Sequence, residues 1–178
     1  LFMKKLISLY TYGLIIIAVG IFLLAAQYNA LSSVKLTVGI CLTVGAVFAF
    51  LTAFFRKREQ VQFAYHEMHA LAMLVYGVSL LAFRVTSETL IYSTAILFLF
   101  YSFSEIIFCN WLFNLGGEIE YRVVAVRLLF GLLSGIGTVV IMHYSDILEI
   151  DSLQGFGFLF IVIGVNVLLY VPVMKKIN

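Results

Sequence analysis

Six stretches of this chain, Leu6–Gln27, Val34–Phe55, Ala64–Phe83, Thr89–Phe113, Val123–His143 and Leu153–Met174, are apolar almost throughout. A helix needs about 20 apolar residues to cross the hydrocarbon of a bilayer, so each stretch is long enough to be a span. Lipid offers no partner to a free backbone N–H or C=O, which restricts a span to a helix or a strand of a closed barrel. A barrel strand alternates in polarity over roughly 10 residues; Leu14–Ala26 and Phe156–Val165 run apolar without alternating. Composition closes the soluble route. Of 178 residues, 63% are hydrophobic and 11% charged, with mean hydropathy +1.12, against roughly 25% charged in a soluble domain. A globule this small has too little interior to hide the excess. The expected fold is all-α, a bundle of six transmembrane helices.

The connections, Tyr28–Ser33, Arg56–Gln62, Arg84–Glu88, Asn114–Arg122 and Tyr144–Ser152, are short and polar, and none could hold a soluble domain. Residues 1–178 therefore read as a single transmembrane domain. Lys4 and Lys5 precede an apolar run that is longer than the roughly 7–15 residues of a signal-peptide core, so it reads as a span. Orientation follows from the excess of Lys and Arg on the cytoplasmic side. With the N-terminus inside, that side holds nine (Lys4, Lys5, Arg56, Lys57, Arg58, Arg122, Arg127, Lys175, Lys176) and the outer side two, Lys35 and Arg84. Both ends are expected in the cytoplasm. The net charge of +2 is too small to suggest a nucleic-acid partner. Cys41 and Cys109 fall at different depths in this arrangement, beyond the roughly 7 Å between Cα atoms that a disulfide spans.

The spans also repeat. Gly20-Ile-Phe-Leu-Leu-Ala-Ala aligns with Gly77-Val-Ser-Leu-Leu-Ala-Phe, 57 residues later. Three helical hairpins result, at about 3–58, 61–116 and 120–176. Two spans per unit preserve direction, so the repeats are parallel and their axis is expected along the membrane normal. Small residues let helices approach closely in lipid. Gly131-x-x-x-Gly135 is the one full motif of that kind, with Gly13/Gly20 and Gly39/Gly45 as looser small faces. These glycines are expected to pack helices within the chain. Pro172, the only proline, falls at the end of the last span, where it marks a terminus.

The pattern Tyr12-Gly13, Gly20-Ile, a short loop, then Val38-Gly39-Ile and Gly45, in a chain with three hairpins, resembles the HdeD-type acid-resistance membrane proteins. Phe130-Gly131 and the interval Gly155 to Gly164 extend the likeness to the last hairpin; the middle one shares only Gly77, and Tyr28–Ser33 lacks the proline usual there. The resemblance implies six helices in the bacterial inner (cytoplasmic) membrane and a part in stress tolerance, with no catalytic residues to carry over.

Two places hold residues whose chemistry is out of keeping with lipid. Glu105 lies inside the fourth span, where a charge costs about 2.5–3.5 kcal/mol on insertion scales. It stands 11 residues before Gly116, and Arg127 stands 11 after it. In an antiparallel hairpin the two are level, which predicts a buried ion pair. A structural clip is the simpler reading; a proton or cation site with Arg127 tuning Glu105 is the alternative. Only Ser102, Ser104, Asn166 and Thr43 add polarity at that depth. At the cytoplasmic start of the third span, His66 and His69 share a face. They read as an interfacial polar cap, since zinc would need at least one more ligand. Trp111, Tyr92 and Tyr121 read as interfacial anchors. No phosphate loop, catalytic triad or haem-ligating histidine pair is legible, so neither an enzyme nor a cofactor is expected. The expected role is structural, in stress tolerance or as an accessory subunit. The partners would be the lipid bilayer and a larger membrane complex or further copies of the chain.

Overall fold

The computed structural model describes residues 2–26, 31–54, 60–114, 121–144 and 151–170, and the side chains of all of these but 2–5 and 60–64. Among them are six helices and no strand: α1 (Phe2–Ala25), α2 (Leu31–Phe54), α3 (Gln60–Ala82), α4 (Ser87–Asn114), α5 (Tyr121–Tyr144) and α6 (Ser152–Leu168). Several begin before their apolar stretch. The α2 helix starts at Leu31 instead of Val34, and α3 at Gln60 instead of Ala64. Hydropathy marks depth in hydrocarbon, and a helix can extend past it through polar residues such as Ser32, Ser33 and Gln62. Pro172 lies outside the described residues.

Helix ends are secured locally. Thr86 Oγ1 accepts from the Thr89 backbone N–H ahead of α4. Asp151 caps α6 by accepting from Leu153 N at 2.8 Å and Gln154 N at 3.3 Å. Such caps satisfy the orphan N–H groups of a first turn. Lys35 Nζ donates at 2.9 Å to the Phe83 carbonyl just past α3, placing a cation where a helix end is negative.

Among the described residues, four helices are long and apolar enough to cross a membrane: Leu6–Ala25 within α1, α2, α4 and α5; α6 is apolar but shorter. The exterior is apolar too. Leu14, Ile21, Leu71, Ile96, Phe103 and Ile136 are each more than half exposed, a surface suited to lipid and costly in water.

Each helix packs on the next, and α6 returns to α1, so the six close a ring. The most extensive packing joins α1 with α6, α2 with α3 and α4 with α5. Small residues make these seams. A Cβ on Gly20 would stand 2.6 Å from the Gly157 carbonyl oxygen, and one on Gly164 2.9 Å from that of Gly13. Between α2 and α3, a Cβ on Gly77 would stand 2.9 Å from the Gly39 oxygen. Gly131 and Gly135 face Glu105 and Ser102 of α4. Gly45 differs, since a Cβ there would first meet the flexible end of Met73 at 2.8 Å. Hydroxyls supplement other seams: Ser8 on α1 donates to the Phe48 carbonyl of α2 at 2.6 Å.

Aromatic and aliphatic side chains from all six helices fill the interior, among them Tyr12, Leu42, Tyr65, Phe98, Val124 and Phe156. Arg127 is enclosed with them, at 0% exposure. Because it is an interior residue, the Lys and Arg count used for the expected orientation falls from nine against two to eight against two.

The seams set an order of sensitivity. Gly20→Ala pushes a methyl into backbone and should lower the thermal midpoint in mild detergent, in keeping with roughly 1–3 kcal/mol for overpacking. Gly45→Ala, which meets a movable methionine, should cost distinctly less. Circular-dichroism melts of the two variants side by side check the order.

Candidate functional site

Most of the polar groups that the bundle encloses gather toward the end where α1, α3 and α5 begin, while Thr94 and Thr138 lie toward the other. Tyr101, Glu105 and Cys109 recur every fourth residue along α4, and Tyr65 and His69 do so on α3; both sets are buried. Fourfold spacing stacks side chains on one helical face.

Glu105 and Arg127 meet there. Arg127 Nε donates to Glu105 Oε1 at 2.8 Å and Arg127 Nη2 to Oε2 at 3.1 Å, the forked geometry that guanidinium and carboxylate favour. Both side chains are 0% exposed. Tyr65 completes the node: its hydroxyl donates to Glu105 Oε2 and accepts from Arg127 Nη2 at 3.0 Å. Cys109 Sγ donates weakly to Glu105 Oε1 at 3.5 Å. Arg127 Nη1 has no hydrogen-bond acceptor among the described residues. The guanidinium carbon lies 5.0, 5.4 and 5.8 Å from the ring centroids of Tyr170, Phe108 and Tyr65, within range for aromatic faces to stabilise a cation. One node thus joins α3, α4 and α5. Gly131 makes room for it, because a Cβ there would stand 2.9 Å from Glu105 Cγ.

A second chain of hydrogen bonds runs beside the node. Tyr12 Oη is 3.5 Å from His69 Nδ1, His69 Nε2 is 2.6 Å from Ser104 Oγ, and Ser104 Oγ donates to the Tyr101 carbonyl at 2.9 Å. One proton assignment serves all three contacts. Ser104 uses its hydrogen on the carbonyl and accepts from Nε2–H, which leaves Nδ1 to accept from Tyr12. His69 is then a neutral imidazole. Asn166 Nδ2 donates to Tyr101 Oη at 2.6 Å, bringing α6 into the cluster, while Asn166 Oδ1 has no partner among the described residues.

His66 and His69, expected as a polar cap at the start of the third span, face the interior of the bundle. Their exposures are 1% and 3%, because α3 turns this face into the bundle. His66 packs against the rings of Tyr65 and Tyr170, and His69 lies between Tyr65 and Tyr101. Among the described residues, no three His, Cys, Asp or Glu side chains are grouped to hold a metal ion. Cys41 and Cys109 are free thiols. Ser102 donates to the Gly131 carbonyl at 2.7 Å and Thr43 to that of Gly39 at 2.7 Å, so both serve helix backbone. Tyr92 and Tyr121 are about half exposed, whereas Trp111 stacks on Phe108.

Reading tyrosine as an interfacial anchor left out Tyr12, Tyr65 and Tyr101. The available signal was their spacing: Tyr65 with His69, and Tyr101 with Glu105, stand four apart on helices that also carry a buried charge or imidazole.

Tyr65→Phe removes a donor from the carboxylate and an acceptor from the guanidinium while keeping the ring. Hydrogen bonds to charged groups contribute about 1.5–3 kcal/mol. The variant should show a clearly lower thermal midpoint in detergent with unchanged helix content.

No family model, curated protein or solved structure matches this chain.

Proposed function

We propose that this chain is a small non-enzymatic protein of the bacterial inner membrane, with six spans in three hairpins and both ends cytoplasmic. Its role is structural, in stress tolerance or as an accessory subunit of a larger membrane complex. One observation carries the structural reading: the carboxylate of Glu105 is fully committed within the bundle, to Arg127 and Tyr65. A proton carrier must cycle its acid between charged and neutral forms, and a cation site must free its carboxylate to meet the ion. Neutralising Glu105 would leave the Arg127 guanidinium uncompensated in an apolar interior, which is strongly unfavourable. The pair is therefore a clip that fixes α3, α4 and α5.

The hairpin repeat is supported by spacing. Gly20, Gly77 and Gly135 stand 57 and 58 residues apart, and each faces the preceding even-numbered helix around the ring, against Gly157, Gly39 and Ser102. Tyr12, His69 and Arg127 follow at the same intervals and all are buried. The stress-tolerance part of the reading rests on the HdeD-type resemblance, whose glycines are helix-packing residues here. The second reading, a small-solute or proton/cation pathway using Glu105, is favoured by one feature, the buried Tyr12–His69–Ser104 chain beside it.

A double-mutant cycle separates the two. For a clip, Glu105→Gln and Arg127→Met each lower thermal stability in detergent, where breaking a buried pair costs roughly 3–5 kcal/mol in a protein core. The double variant regains part of the loss. For a pathway, Glu105→Gln leaves stability nearly intact and abolishes a pH-dependent phenotype. Orientation has its own test: a reporter fused after Asn178 should report cytoplasm and one inserted at Glu149 periplasm, and the reverse pair would overturn the topology.

A further inference from the structure

The seam between α3 and α4 is built unlike the glycine-lined ones. The α4 helix has no glycine, and Gly77 of α3 faces α2. Three side-chain hydrogen bonds hold the two helices together instead. Tyr65 bonds Glu105, His69 meets Ser104 at 2.6 Å, and Tyr76 meets Thr94 at 2.5 Å. Outside this seam runs a groove of about 600 Å³ whose walls include Met68, Leu71, Val75, Ser79, Ser93 and Ile96. Inside it lies a cavity of about 30 Å³ against Tyr12, Leu42, Met73, Phe160 and Ile163. Ala72, Leu97 and Phe100 line both. A single layer of three side chains thus parts the outer groove from the bundle axis.

The chemistry of the walls selects an occupant. No charged side chain lines either space, and nearly all the lining atoms are carbon. The groove's serines, Ser79 and Ser93, lie within about two turns of the α3–α4 connection; the Ser93 hydroxyl donates to the Leu90 carbonyl at 3.2 Å, so Ser79 is the one to meet an acceptor. From Ser79 the groove runs along α3 to Met68, roughly 16 Å at 1.5 Å per residue. A linear hydrocarbon with an uncharged hydrogen-bonding group at one end matches this layout; a compact polar solute or an ion does not. The inner cavity has room only for a chain end.

We infer that the α3–α4 groove is a binding site for one acyl chain of a bilayer lipid. The ester end lies at Ser79, and the chain passes between Ala72, Leu97 and Phe100 to place its terminus in the inner cavity. This site goes beyond the structural role and does not depend on it.

The test uses the full chain in nanodiscs of phosphatidylcholine carrying a diazirine near the end of one acyl chain, with adducts mapped by mass spectrometry after illumination. Adducts are expected on Phe160 and Ile163 of α6, which are 2% and 4% exposed and line the inner cavity. Adducts confined to outward residues such as Ile96 and Ile136 would overturn the site. In Ala72→Phe the passage is plugged, so labelling of Phe160 and Ile163 should be lost while that of Ile136 persists. Ala72→Leu is the smaller plug should the first variant not purify folded. Labelling of Phe160 and Ile163 that survives in a folded plugged variant would equally overturn the inference.

Discussion

Arg127 is fully enclosed, and the interior is arranged around that fact. A guanidinium at 0% exposure is tolerable only where an opposite charge and hydrogen bonds replace its hydration. Glu105 supplies the charge, Tyr65 a hydroxyl that serves both partners, and three aromatic rings cover the rest. Because these groups come from different helices, the node fixes how α3, α4 and α5 stand to one another. Packing between apolar helices in lipid is weakly directional, since lipid tails are as apolar as leucine. A forked ion pair is directional, and it selects one register.

Glycine provides the complementary constraint. Where Gly20 meets Gly157 and Gly39 meets Gly77, backbones approach too closely for a methyl group. Such seams gain dispersion contacts along their length. The α3–α4 seam is joined by side chains instead, and the groove and cavity occur on its two sides. The bundle therefore combines tight seams, which resist separation, with a looser one at which side chains alone part the interior from the exterior.

An apolar exterior around a core that also encloses a polar cluster departs from the distribution of a soluble protein, as a lipid environment favours. Tyr12, Tyr65, His69, Ser104 and Asn166 are buried with their hydrogen-bonding groups directed mainly at one another. Outward positions such as Leu71 and Ile136 are aliphatic. Water is the expensive solvent for this surface, and unpaired polarity is the expensive component of this core.

The sequence by itself determined the helical class, the placing of the helices and the level of Glu105 with Arg127. Long apolar runs admit no other backbone in lipid, and the turn between α4 and α5 fixes heights by counting residues. It could not set which way each side chain faces, because an apolar helix lacks the amphipathic contrast that marks an inner side. For that reason the burial of His66 and His69 was not legible, whereas Arg127, level with Glu105 by residue count, was expected in a buried pair and is enclosed. Tyr12, Tyr65 and Tyr101 were invisible as a cluster, since tyrosine is at home both in an interfacial belt and in a hydrogen-bonded core. Helix rotation and the closing of α6 onto α1 chose between those settings, and both arise from contacts among residues far apart in the chain.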